Sequence, residues 1–521
     1  MQLSILEVLA ACKGRLINGD ASQIPDVTSI CTDTRKLVPG ALFVPLKGAN
    51  DGHEYIGEAL TNGAVCSLTE RQTNGSAVNG RAPQIYVKST RKALLDLAAY
   101  YRNKHDIKVV AITGSAGKTT TKDMIACVLA RKYKTQKTQG NFNNDIGVPH
   151  SIFQLTPADE VLVLEMGMNH GGEIHELSLA GAPDIAVITN IGDAHIENFE
   201  NREGILHAKL EILDGLAPGG TAIFNGNDPL LTGAIAKAKA APFKLLYPSS
   251  SNIKSMDENS IAGGPAHFVI DGQDIHINVS VPGAHMVLNA LLAANVGIEM
   301  GLTPEEIAKG FDDFTPPGGR LSIMEFGGMT LINDVYNANP ASMQEAIKVV
   351  LNQDGRKVCI LGGMNELGHV SEPRHKELGT FAADHGVNML VTIGKMAWWI
   401  NEGFYDAIRR RQAEKGRVGN QPLLDESAER LFDIPKRSIN YGRSGGGGMG
   451  GGLNMGPELG AILRQSIEKE EDVPQMALHF ETVDSFLSEW RSILRKGDVV
   501  LVKASRGMAF ENLITGLGAK L

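Results

Sequence analysis

Apolar residues in this chain come in short runs whose character changes along its length. Up to about residue 105 the runs are brief and broken. Leu42-Phe43-Val44-Pro45-Leu46 reads as a strand, Asp51-Gly52-His53 as a turn, and Thr90 to Tyr101 as a helical pattern, while Ser4 and Glu7 have the spacing of a helix capping box. From residue 106 the runs lengthen. Val109 to Thr113, Val161 to Glu165 and Ile185 to Thr189 are near-continuous apolar stretches of strand length with helical segments between them, the pattern of strands buried on both faces of a parallel sheet. Thr315-Pro316-Pro317-Gly318-Gly319 can continue neither a helix nor a central strand and reads as a linker. Beyond it the alternation restarts, with strands expected near Thr330–Asp334, Val358–Leu361, Met389–Ile393 and Val499–Lys503.

The pattern predicts an α/β protein of three domains, 1–105, 106–315 and 316–521, the last a doubly wound, Rossmann-like sheet. Length agrees, since 521 residues exceed what one hydrophobic core supports, roughly 250 residues. Within the last domain a polar stretch from about 409 to 475 holds seven glycines between Gly445 and Gly452, interrupted only by Met449. That stretch reads as a flexible surface insertion.

Charge and cysteine usage narrow the function. A net charge of -9 argues against a broad basic surface, so nucleic acid is not an expected partner and anionic ligands must be held by local sites. Cys12, Cys31, Cys66, Cys127 and Cys359 are scattered, without paired spacing for zinc or a disulfide framework, and a reducing, cytoplasmic setting is expected. Leu9-Ala10-Ala11-Cys12 imitates a lipoprotein cleavage box. The stretch before it, however, has no basic residue ahead of Lys13 and carries Glu7 at its centre. No run approaches the ~18 apolar residues of a membrane span, so no membrane insertion is expected.

Chemistry concentrates at Thr113-Gly114-Ser115-Ala116-Gly117-Lys118-Thr119-Thr120, which follows the strand Val109–Ile112 and precedes the helical stretch Lys122 to Arg131. Glycines let backbone N–H groups turn towards phosphate, a helix N-terminus adds its positive dipole end, Lys118 reaches the outer phosphates and the Thr119 hydroxyl suits magnesium. Ile112 occupies the position of the motif's usual first glycine. The central domain is therefore expected to be a P-loop, ATPase-type parallel sheet. Glu165, where an apolar strand stops, is a candidate magnesium ligand or else a surface carboxylate. His195 follows the third strand in Thr189-Asn190-Ile191-Gly192-Asp193-Ala194-His195 and is open between a structural and a ligand role. Lys209, in the helical run Glu203 to Leu213, reads on its own as a solvated helix-face lysine.

Taken in order, these segments resemble the Mur ligase family. The resemblance rests on Thr113 through Thr121, Asn141-Phe142-Asn143-Asn144-Asp145-Ile146-Gly147-Val148-Pro149, Glu165-Met166-Gly167, Thr189 to His195, Lys209-Leu210-Glu211, Pro282 to Asn289, Arg320 and Asp334-Val335-Tyr336-Asn337-Ala338-Asn339-Pro340. Within the family, Tyr336 to Pro340 followed by Met364-Asn365-Glu366-Leu367-Gly368 is similar to the branch that adds D-alanyl-D-alanine. Asp33-Thr34-Arg35, Gly40-Ala41-Leu42-Phe43 and Asp51-Gly52-His53 look like that family's uridine-nucleotide-binding module.

The resemblance implies an ATP-dependent ligase that joins D-alanyl-D-alanine to a UDP-N-acetylmuramoyl-tripeptide through an acyl phosphate, as a cytoplasmic monomer using ATP and Mg2+. It implies that Gly114, Ser115, Ala116, Gly117, Lys118, Thr119 and Thr120, with Asn289, Arg320, Asp334 and Tyr336, bind ATP as the last domain closes. Thr119 and Glu165 would hold one magnesium, and His195 with a carbamylated Lys209 a second. Thr34, Arg35, Asp51, His53, Asn141, Asn143 and Asn144 would bind the UDP substrate. Met286, Gly363 and Ala504 depart from the residues usual in the family, and the glycine-rich insertion is foreign to it. Asn103-Lys104-His105-Asp106 spells the guanine-reading tetrapeptide of switch GTPases but precedes the phosphate loop, where that tetrapeptide does not belong.

Overall fold

The computed structural model describes residues 1–72, 83–237, 243–257, 260–416 and 475–518. The glycine-rich segment Gly445 to Gly452 lies outside the described residues. The chain divides into two compact units, Met1–Pro317 and Gly318–Leu521, at the Pro-Pro-Gly-Gly segment that neither helix nor strand can cross.

The first unit begins with a mixed five-stranded sheet, β1 (Arg15–Asn18), β2 (Ser29–Cys31), β3 (Ala41–Phe43), β4 (Cys66–Thr69) and β5 (Gln84–Tyr86), in the order β1-β5-β4-β3-β2. Only β1 runs antiparallel to its neighbour. The expected strand Leu42–Leu46 is shorter than the apolar run, because Pro45 has no N–H to give to a ladder. The capping box at Ser4 and Glu7 is present and starts the helix Ile5–Cys12.

Next comes a six-stranded, all-parallel sheet: β6 (Lys108–Thr113), β7 (Thr135–Lys137), β8 (Val161–Glu165), β9 (Ile185–Ile188), β10 (Thr221–Phe224) and β11 (Lys244–Leu246). Its order, β11-β10-β9-β6-β8-β7, sets β6 between β8 and β9. The apolar runs of these three strands are almost wholly buried, as continuous runs in a two-sided sheet must be. A meander of β12 (Ile253–Met256), β13 (Gly264–Ile270) and β14 (Gln273–Val279) precedes the helix Ala284–Glu299, which packs on the helix Lys118–Leu129 behind the phosphate loop.

The second unit is a six-stranded sheet, β15 (Ser322–Phe326), β16 (Met329–Asn333), β17 (Arg356–Gly362), β18 (Met389–Ile393), β19 (Met476–Phe480) and β20 (Asp498–Lys503), in the order β15-β16-β20-β17-β18-β19. All pairs but β15–β16 are parallel. Val358, Ile360, Val391, Val500 and Val502 form the middle of its core with Phe486 and Phe510. The stretch expected as an insertion from about 409 begins as helix, since Trp398–Gly416 is one element. Its polar residues are a charged helix face: Arg410 pairs with Asp384 at 2.8 Å, and Arg411 donates to Gln475 at 2.5 Å.

Candidate active site

Strand order brings the carboxyl ends of β8, β6 and β9 side by side: the chain leaves β6 for the edge strand β7, returns to β8 beside β6, and then crosses to β9 on the other side of β6. A crevice above such a switch point is where open α/β sheets bind ligands. The phosphate loop leaves β6 there. It is clamped against the segment after β9: Ser115 N donates to Asn190 O at 3.0 Å, Ala116 N to Asn190 Oδ1 at 2.9 Å, and Thr189 Oγ1 to Ala116 O at 2.6 Å. Gly192 N donates to Ser115 Oγ at 2.8 Å. Gly114 is obligatory, because a Cβ there would stand 1.8 Å from Thr189 Oγ1. Gly117, at φ +79°, caps the helix Lys118–Leu129 without any side-chain cap, and the positive dipole end of that helix opens on the loop. Lys118 Nζ rests on Gly114 O at 2.8 Å, folded over the loop it would share with phosphate.

Glu165 closes β8 and is buried. Asn143 Nδ2 donates to its Oε1 at 2.9 Å, while Oε2 has no hydrogen-bond partner among the described residues. Asn144 shapes the same loop, its Oδ1 accepting from Gly147 N at 2.9 Å. Asn141 is exposed at the loop's start. After β9, Asp193 is buried and held by Arg202 through two bonds of 2.5 and 2.8 Å. That pair braces the turn in which His195 adopts φ +64°, a left-handed conformation uncommon outside glycine.

Lys209 overturns its expectation as a solvated residue. It is 1% exposed, and no carboxylate is ion-paired with it among the described residues. Loss of hydration, reinforced by the nearby charge of Lys118, pushes its ammonium well below the usual lysine range. Asn289, on the helix Ala284–Glu299, sets its amide against Gly117, where a Cβ would lie 3.0 Å from it. The unusual Met286 turns its sulfur to that amide, 3.7 Å from Nδ2. Thr119 is partly buried at the helix start, and Thr120 is buried one residue further.

In the second unit, Asp334 follows β16 and meets Lys503, the last residue of β20, at 2.5 Å. Lys503 also donates to Asn337 O at 2.9 Å. Arg320 and Arg506 lie over the Tyr336 ring, 3.9 and 4.9 Å from its centroid. Sequence reasoning named Arg320, Asp334 and Tyr336 and missed Lys503 and Arg506 as members of the same group. The signal was available, for Lys503-Ala504-Ser505-Arg506 ends an apolar strand as Glu165 does.

Family models match along both units: the Mur ligase middle domain over residues 112–297, the Mur ligase glutamate ligase domain over 319–421, and the Mur ligase family catalytic domain over 26–102. The UDP-N-acetylmuramoyl-tripeptide–D-alanyl-D-alanine ligase of Bacillus subtilis (strain 168) is 38% identical over 404 residues, 77% of this chain and 87% of the relative. That of Escherichia coli (strain K12) is 36% identical over 392 residues, 73% of this chain and 85% of the relative. The chain belongs to the Mur ligase family. Among solved structures, MurF from Acinetobacter baumannii superposes with a TM-score of 0.80 at 27% identity over 99% of both chains. The MurF ligase from Thermotoga maritima in complex with ADP does so at 0.73, with 25% identity over 94% of this chain and 97% of the other.

The remaining expected site residues lie in the first sheet's loops. Arg35 is exposed and forks onto Asp33 at 2.7 and 2.8 Å, with Thr34 opening the same turn. His53 is buried with both ring nitrogens engaged, Nδ1 at 2.7 Å from Asp51 and Nε2 accepting from Glu70 N at 3.0 Å. It offers a substrate no polar atom and instead fixes the Asp51 loop, whose other oxygen meets Arg71 at 2.9 Å. The GTPase-like tetrapeptide ends the helix Thr90–Asn103 and lies before the amino end of β6, opposite the phosphate loop.

Proposed function

We infer that this protein is an ATP-dependent ligase that joins D-alanyl-D-alanine to UDP-N-acetylmuramoyl-tripeptide, a step in building the peptidoglycan precursor. The observation that carries this reading is the phosphate loop on β6 flanked by Glu165 and by the Thr189–His195 turn on the adjoining strands, in a chain whose relatives carry that activity in their names.

A carboxylate is a poor electrophile. Transfer of the γ-phosphoryl group of ATP to the tripeptide carboxylate releases ADP and forms an acyl phosphate, from which the incoming amine displaces inorganic phosphate as the amide bond closes. Lys118 and the N–H groups of Gly114 to Thr120 would hold the transferring phosphates, offsetting charge as it moves to the leaving oxygen. The residues present fit Mg2+, because the orphaned Oε2 of Glu165 is a hard oxygen donor at the end of a strand packed on the helix in whose first turn Thr119 lies. Among the described residues no three His, Cys, Asp or Glu side chains cluster, and the phosphate oxygens of the nucleotide would supply further hard ligands. When bound, the ion would neutralise phosphate charge. His195 and Lys209, the latter as a carbamate, are proposed for a second ion; the neutral amine that burial favours is the form that takes up carbon dioxide. Asn289, Arg320, Asp334 and Tyr336 are proposed as nucleotide contacts. Thr34, Arg35, Asp51, Asn141, Asn143 and Asn144 are proposed for the UDP substrate, with His53 fixing Asp51.

No helix among the described residues is long and apolar enough to cross a membrane, and we propose a cytoplasmic monomer with domains near 1–105, 106–315 and 316–521. Phosphate release measured with UDP-N-acetylmuramoyl-tripeptide, with and without D-alanyl-D-alanine, tests the reading. Release that requires both is expected; release indifferent to the dipeptide would overturn it. Running lysine- and diaminopimelate-containing tripeptides in parallel identifies the third peptide residue.

A further inference from the structure

The helix behind the phosphate loop carries a second lysine that the chemistry above leaves unused. Lys122 is 2% exposed, and an ammonium removed from water is costly unless paired. Its pairing is loose. The nearest carboxylate oxygens are Asp123 Oδ1 at 3.5 Å and Glu165 Oε2 at 3.9 Å, both beyond a charge-assisted hydrogen bond. The Asp123 oxygen is already taken by Lys137 at 2.8 Å. Glu165 is pinned on its other side by Asn143, so its Oε2 is a fixed, buried oxygen that accepts no hydrogen bond from the described residues and faces a cation across a gap.

Lys122, Lys137, Asp123 and Glu165 together are formally neutral. A divalent ion added at Glu165 would make the group doubly positive next to an ammonium, in an interior that screens charge poorly. Phosphates seated on the neighbouring loop would restore the balance.

We propose that Lys122 is a positioning residue, the internal counter-cation of Glu165, which keeps Oε2 open for a divalent ion yet disfavours an ion that arrives without the nucleotide. The metal then enters with the phosphates and not ahead of them, and the site is spared occupancy by free divalent ions. This rests on the reading of Glu165 as a metal ligand. A purely space-filling role for Lys122, with its methylene stem packed in the helix interface, makes no statement about metal affinity.

The test is Mn2+ binding to the full-length protein, read by electron paramagnetic resonance with and without ADP. Wild type should bind Mn2+ weakly alone and tightly with ADP. Lys122→Met should bind Mn2+ without ADP at least about tenfold more tightly than wild type, a conservative figure for removing one unit charge some 4 Å away. Its affinity with ADP should change far less, Lys122→Arg should behave as wild type, and adding Glu165→Gln to Lys122→Met should erase the gain. Unchanged or weakened Mn2+ binding in folded Lys122→Met overturns the proposal. Should that variant not fold, Lys122→Gln, which keeps a polar head, carries the same expectation. Glu165→Gln alone separates the two levels: intact Mn2+–ADP binding sinks Glu165 as a ligand, whereas its loss without a gain in Lys122→Met sinks only the role of Lys122.

Discussion

At Lys209 the governing quantity is burial. A solvated lysine on the same helix would stay protonated and tolerate arginine; here the amine is inside, beside the charge of Lys118, and its neutral form is favoured. Arginine cannot lose its charge and cannot become a carbamate. Lys209→Arg is therefore expected to lose at least about a hundredfold in kcat, and Lys209→Ala to recover in part with added small carboxylates; an active Arg variant would return Lys209 to a structural role. Gly114 is governed by space instead. With its Cβ 1.8 Å from Thr189 Oγ1, Gly114→Ala must push the loop off the Thr189–Gly192 segment that clamps it. Fluorescent ADP should bind at least about tenfold more weakly, and wild-type affinity would show that the clamp does not shape the site. Lys118, Thr119 and Glu165 were legible as candidates because strand, glycine loop and helix fix their places through local order. Burial of Lys122 and Lys209 was not, since a single lysine in a helical pattern has the same local signature whether its face is covered or wet.

Among elements, the central strands were the most legible. Val161–Glu165 has the bounds its apolar run suggested, and Ile185–Ile188 ends one residue before the expected Thr189. Strands of β7, β11 and β19 escaped notice because edge positions tolerate short and polar sequences, and the β12–β14 meander did so because its exposed face dilutes the apolar signal. Loops were legible only as motifs. Met364 to Gly368 is propped from beneath by His375, a fully buried imidazole on the helix Ser371–Asp384 whose Nε2 accepts from Met364 N at 2.9 Å while Nδ1 faces Ser371 O at 2.6 Å. Across the same sheet His479 stands 3.0 Å from Thr392 Oγ1. Burial holds His375 below its ordinary value and His479 down to about 4. Unfolded, both regain a pKa near ~6.5 and take up protons that the native unit resists. The stability they permit is thus complete above about pH 6.5 and falls as the pH drops towards 4. The urea midpoint of the second unit should decline across that window, less steeply in His479→Asn; equal slopes in variant and wild type would refute the assignment to His479.

For the whole molecule, the boundary at Pro317 and Gly318 separates the three sheets of the first unit from the single sheet of the second, which has its own core. The alternation of strands and helices on either side of the Pro-Pro-Gly-Gly segment made this division readable before any contact was known, since proline and glycine interrupt both periodicities at once. The first unit holds the phosphate loop, Glu165, Lys209 and Asn289; the second holds Arg320, Asp334, Tyr336 and Lys503. A ligand that touches only native protein stabilises whatever it touches, by about 2.7 kcal/mol at a hundred times its dissociation constant. Inorganic tripolyphosphate offers the charge of the ATP tail without the adenosine, so its partners are the loop residues of the first unit. Urea unfolding followed by circular dichroism should then show two transitions, of which tripolyphosphate moves only one. Lys118→Ala should abolish that shift and leave the other transition where it was, because Lys118 contacts its own loop and closes no core. A single transition displaced as a whole by tripolyphosphate would mean that the two units do not unfold separately, and a shift that survives Lys118→Ala would take the phosphate site away from the β6 loop.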